Sequence, residues 1–167
     1  MASIKLAYGS SSAVTITLAS LATDTNLLAG RGSVSIDNTT NLYVDYLIAG
    51  KITTGTSPTG NPGTIEVHAV SLEDDSTWPD AITGTDIGQT LTNSYVKAAI
   101  CRPVAILSTN TTSNVAYWFG AVSLASLFGG SCPKKFALWV AHSSGVNLNA
   151  AAGNHDIKIT PVYYTVA

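Results

Sequence analysis

The chain has 167 residues, a mass of 17.2 kDa, a formal net charge of −2 and a pI near 5.8. That length suits one domain with a real core, and a weakly acidic balance argues against a nucleic-acid partner, which needs a basic stripe to displace counterions. Hydrophobic residues make up 46% and charged residues only 11%, against about 25% charged in an ordinary domain. Ser, Thr, Asn and Gly fill the gap, giving a neutral-polar surface that does not keep copies apart by repulsion.

Residues 1–12, "MASIKLAYGSSS", read as an extended N-terminal arm or a first strand, and 13–167 as a single β-sandwich domain. The opening has no basic segment leading into a continuous apolar run, and no stretch of 18 or more apolar residues occurs, so no membrane partner is expected. "AVTITLAS" (13–20) alternates Val14, Ile16 and Leu18 with threonines, a half-buried strand pattern. "GRGS" (30–33) reads as a turn, and "SVSIDN" (33–38) as a short second strand. "NLYVDYLIAGKITT" (41–54) is a long strand with two fairly apolar faces, and "TGTSPTGNPG" (54–63) is a loop by composition. "TIEVHAVSL" (64–72) returns as a strand, and 73–93 is a long excursion rich in turn residues. "YVKAAICRPVAIL" (95–107) and "VAYWFGAVS" (115–123) read as strands, "LASLF" (124–128) as one helical turn closed by Gly129, and "KKFALWVAHSS" (134–144) as a strand. In "HDIKITPVYYTV" (155–166), Pro161 points to an edge strand or a bulge.

About eight strands at short spacing, joined by Gly, Pro, Asn and Ser turns, predict an all-β, two-sheet antiparallel sandwich of jelly-roll type, with an immunoglobulin-like sandwich as the alternative. Cys101 and Cys132 lie far apart in unlike contexts and read as two buried or half-buried free thiols, although a disulfide stays open.

No motif fixes a chemistry. Glu73, Asp74, Asp75 and Asp80 could gather on a calcium ion, but their spacing is not that of a known calcium loop, and a solvated loop is expected. Glu66 and His68 share a strand face and could form an acid/base dyad, yet a surface polar pair is the plainer reading. His142 and His155 lack metal-ligand spacing, and neither a nucleophile elbow nor a phosphate-binding loop is present. The chain is therefore read as non-enzymatic, with no catalytic, metal or cofactor residues assigned.

The segment "SLFGGSCPKKFALWVAHSSG" (126–145) reads as a structural corner beside an oligomer contact. Phe136, Leu138 and Val140 face one way and fill the core; Trp139, flanked by Ala137 and Ala141, faces the other and is expected to be exposed in a monomer, where a large ring over small neighbours makes a good contact. Lys134 and Lys135 at the strand's start, Tyr163 and Tyr164 near the C-terminus, and Trp78 complete the expected contact set. Trp78 could equally plug the end of the sandwich.

The opening "MASIKLAYGSSSAVTITLASLATD", "SIDNTTNLYVDYLI", "SLFGGSCPKKFALWVAHSSGVNL" and the closing "PVYYTVA" resemble small structural proteins of tailed bacteriophages, including capsid decoration, or cement, proteins. The resemblance implies a jelly-roll-like homotrimer on the virion's capsid exterior, made in the host cytoplasm. It would bind the major capsid protein near three-fold sites and staple capsomers, with no catalytic residues. A tail or fibre component, with a carbohydrate-binding face built from Trp78, Tyr43 or Trp118, is the alternative.

Overall fold

The computed structural model describes residues 3–57 and 61–166; Met1, Ala2, residues 58–60 and Ala167, which belong to the expected arm, the 54–63 loop and the closing run, lie outside the described residues. In chain order the strands are β1 (Ile4–Tyr8), β2 (Ser12–Ala13), β3 (Ala29–Gly32), β4 (Ile36–Asp37), β5 (Asp45–Thr53), β6 (Thr64–Ser71), β7 (Gly88–Thr90), β8 (Arg102–Ser108), β9 (Ala116–Ser123), β10 (Lys135–His142) and β11 (Asp156–Val166). Among the described residues two short α-helices, α1 (Ser94–Ile100) and α2 (Leu124–Leu127), and one 3-10 turn, Ala152–Asn154, interrupt them.

All described pairings are antiparallel. One sheet, A, runs β1-β11-β5-β9, with β2 also on β11; the other, B, runs β7-β3-β10-β6-β8, with β4 also on β10. Taking β1 with β2 and β3 with β4 as single broken strands, and leaving β7 aside, eight principal strands remain. Their order is first-eighth-third-sixth in sheet A and second-seventh-fourth-fifth in sheet B. That is the jelly-roll order, and it sets aside the immunoglobulin-like alternative. The core between the sheets is apolar from both sides: Ile48, Ile52 and Ile157 from sheet A meet Ile65, Phe136 and Leu138 from sheet B.

Several segments depart from the expected pattern, each for a visible reason. Residues 14–18 keep the alternating burial expected of a strand but bond to two different sheets, Val14 N to Ile157 O and Thr15 O to Val34 N, so they cross between layers. "AGRG" is strand β3 rather than a turn. It lies between β10 and β7, and its glycines leave room for large neighbours: a Cβ on Gly30 would stand 2.8 Å from the Trp139 ring. The run 95–107 splits into helix and strand. The Asn93 side chain accepts from Val96 N at 2.9 Å and caps α1, and Lys97, Ala98 and Ala99 in its second half favour helix. Pro161 is in an interior strand, not at an edge, but the expected bulge is there: Tyr8 stands opposite Val162 and Ser12 opposite Ile159, so the β1–β2 side carries one extra residue. Pro161 falls where β11's pairing with β1 gives way to its pairing with β2, and its carbonyl takes Gly9 N at 2.8 Å. The helical turn at 124–127 forms as expected, with Gly129 and Gly130 at φ 73° and 95° and Gly130 N donating to Ala125 O.

Trp139 is the main correction. It is fully buried, not exposed. The two faces of β10 alternate as expected, but both are covered. The 72–93 excursion and α1 fold back over the outer face of sheet B, and Val70, Ile82, Leu91, Cys101 and Ala141 close a second apolar cluster around the indole. Trp78 packs half-buried against the same cluster. Both cysteines are free.

Candidate functional site

The two sheets differ in what covers their outer faces. On sheet B the cover is pinned by polar contacts. Lys97 of α1 donates to Glu66 Oε2 at 2.5 Å and to Leu27 O at 2.8 Å. Glu66 Oε2 also meets His68 Nε2 at 2.9 Å, and the His68 ring lies 5.8 Å from that of Trp139. Glu66 and His68 do share a face, as their spacing predicts, but as a covered pair rather than a surface one, with side chains 14% and 8% exposed. The His68 hydrogen bond first, and the Lys97 contacts after it, outweigh burial and hold the Glu66 carboxyl at about 2. The Cys101 thiol in the same cluster is pushed up to about 11 by burial.

The other histidines are equally committed. Buried His142 bridges Ser144 Oγ (3.0 Å) and Leu21 O (2.9 Å), and His155 Nε2 contacts Asn149 O at 2.9 Å. Burial lowers the pKa of both. The acidic residues are solvent-exposed, as expected of a solvated loop, and each of Asp74, Asp75 and Asp80 already has a partner. Asp74 accepts from Ser76 N, Thr77 N and Thr77 Oγ1, Asp80 from Thr92 N and Oγ1, and Asp75 pairs with Lys134. Among the described residues no three His, Cys, Asp or Glu side chains gather in a metal-binding group.

The outer face of sheet A has no covering element among the described residues. Residues directly opposite across a strand pair share a face. In the β1–β11 ribbon, Ile4 stands opposite Val166, Leu6 opposite Tyr164 and Tyr8 opposite Val162. All of these except Val162 are exposed, Ile4 and Val166 by 73% and 71%. Among the described residues β11 pairs only with β1 beyond Val162, so this apolar strip lies on a two-stranded extension with no described strand on its other edge. On the same face, over β9, β5 and the first half of β11, a shallow groove of ≈ 290 Å³ is floored by Leu47, Ala49 and Ala121 and walled by Trp118. It sits at the bulge where the β5–β9 register shifts between Ile48 and Gly50.

Of the contact residues expected from sequence, Tyr164 lies on this open strip, 64% exposed. Tyr163 faces the other way and packs on Tyr43, ring centroids 5.8 Å apart. Lys134 and Lys135 are at the start of β10, paired with Asp75 and Asp37, away from the ribbon. Trp139 and Trp78 belong to the covered side. The sequence reading missed Ile4, Leu6, Tyr8 and Val166, although "IKLAY" and "YYTV" alternate in a way that could have shown them. No protein-family model matches the chain, and no curated protein matches it.

Proposed function

We propose that the chain is a non-enzymatic structural protein of a tailed-phage virion, a decoration protein that sits on the capsid exterior near three-fold sites as a homotrimer and staples units of the major capsid protein. The observation that carries this reading is the asymmetry of the jelly roll: sheet B is sealed by the chain's own excursion, whereas sheet A, among the described residues, ends in an uncovered apolar ribbon with an open strand edge. Open edges pair with other chains, and exposed apolar patches mark contact sites. The low charge removes a barrier to close packing, and symmetry multiplies weak contacts through avidity.

The test is a count. Quantitative mass spectrometry of purified virions encoding this chain is expected to give near parity with the major capsid protein, with both released together when the shell is dissociated. A few copies per particle would overturn decoration in favour of a tail or fibre component, and absence from particles would overturn both.

A further inference from the structure

We propose that the groove on the outer face of sheet A binds an acidic saccharide, a sugar ring bearing a carboxylate. Two features of the groove, and a lysine next to it that is not part of its lining, match three features of such a ring. The first is an aromatic platform. Trp118 is 69% exposed on β9, an unusual place for an indole, whose flat face suits the C–H face of a pyranose. Next to it the apolar floor of Leu47, Ala49 and Ala121 continues the same surface.

The second is a rim of donors and acceptors suited to sugar hydroxyls. Asp156, Lys158, Thr160 and Ser11 line the opposite side of the groove, and Asp156 Oδ2 and Lys158 Nζ hold each other 3.1 Å apart. A mostly apolar cavity with a few fixed polar groups is the usual form of a small-ligand site.

The third is an unmatched charge. Lys51 stands opposite Trp118 on one side and Asp156 on the other. Its ammonium lies 5.4 Å from the Trp118 ring centroid, while Asp156 is taken by Lys158. Among the described residues Lys51 forms no ion pair. In a chain whose net charge is negative, this face therefore presents a cation without its counter-charge, held beside the platform. A neutral sugar would leave Lys51 as it is; a sugar carboxylate would complete it. The groove lies over β5, β9 and Asp156–Thr160, and the docking ribbon over β1 and the far end of β11, so both can be occupied in one molecule.

The experiment is a titration of the purified full chain, followed by ¹H–¹⁵N spectra. The probes are methyl β-glucuronide, the methyl glycoside of N-acetylneuraminic acid, and methyl β-glucoside as the neutral twin of the first. The chain has three tryptophans, and buried Trp139 supplies an indole signal that should stay fixed. Expected are saturable shifts of the Trp118 indole and the Lys51 amide with at least one acidic glycoside, with millimolar affinity, and binding of the glucoside about tenfold weaker or more. Lys51→Gln should bring acidic and neutral sugars level, and Trp118→Ala, at an exposed position that leaves thermal stability unchanged, should abolish binding. Absence of shifts with both acidic probes overturns the proposal. So does equal binding of glucuronide and glucoside by the unaltered chain, or binding that survives Trp118→Ala. None of these outcomes bears on copy number in the virion, so this proposal and the decoration reading fail separately.

Discussion

Lys97 and Glu66 meet across the seam between α1 and sheet B, 31 residues apart in sequence, their charged atoms 2.5 Å apart and their side chains equally covered at 14% exposure. The ammonium also lies 5.5 Å from the centroid of the Trp139 ring. One cation thus fastens the helix to the sheet and covers the indole beneath it. A partner removed from such a pair leaves a covered charge without compensation.

Glu66→Ala should therefore destabilise the fold by about 3 kcal/mol at neutral pH, measured by denaturant unfolding. The loss should depend on pH in a defined direction. The Glu66 carboxyl lies at about 2 in the folded chain, below its ordinary 4.5. Its contribution is therefore full above pH 4.5 and is lost as pH falls from there toward 2. The gap between the unaltered chain and Glu66→Ala should narrow over that window. A gap that stays constant down to pH 2 would mean that the carboxylate does not hold the seam.

Trp139→Ser should unfold the domain rather than free a surface. The ring is fully buried in the second cluster, and truncating a buried Trp costs about 3–5 kcal/mol. Thermal unfolding compared with size-exclusion profiles separates the cases. A variant of unchanged stability that no longer associates would restore Trp139 to the contact surface.

The sandwich class was legible because its signals are local. Alternation in "AVTITLAS" and "TIEVHAVS", turn residues between runs, and the lack of long amphipathic helices all lie within one stretch of chain. What covers each face is a non-local property. "FALWVAH" shows that Trp139 faces away from Phe136 and Leu138, but only the return of residues 72–101 across sheet B decides that this second face is also core. The same blindness affected "AGRG". Its glycines look like a turn when read alone, and become a strand once Trp139 and Gln89 are seen lying over Gly30 and Gly32. In α1, the cap at Asn93 was visible in sequence, but the apolar run through Ile100 and Cys101 masked it. On the candidate surface, Tyr164 was legible because an aromatic pair must split between faces. The ribbon was not, since its other half lies some 160 positions away, in Ile4 and Leu6.

Gly30→Ala should cost about 1–3 kcal/mol, the usual range for overpacking a filled site. The added methyl would press on the Trp139 ring from 2.8 Å and on the Val140 carbonyl. Gly120→Ala, in β9 with nothing within 4 Å of the new atom, is the matched control and should stay within about 0.5 kcal/mol. Midpoints of paired denaturant curves check this. Equal behaviour of the two variants would show that β3 does not need its glycines.

The double variant Leu6→Glu with Tyr164→Lys should abolish association and leave the fold intact. The two residues stand directly opposite each other in the ribbon and are both exposed. Opposite charges placed there keep a favourable cross-strand pair while removing the apolar strip. Surface changes of this kind usually shift stability by about 0.5 kcal/mol or less. Sedimentation velocity should find the unaltered chain assembled and the variant monomeric, and the variant should fail to bind purified shells that take up the unaltered chain. A variant that assembles and binds as before would remove the ribbon from the docking surface. A variant that melts earlier would show instead that β1 is held to β11 by this strip, so that the ribbon serves the fold before it serves a partner.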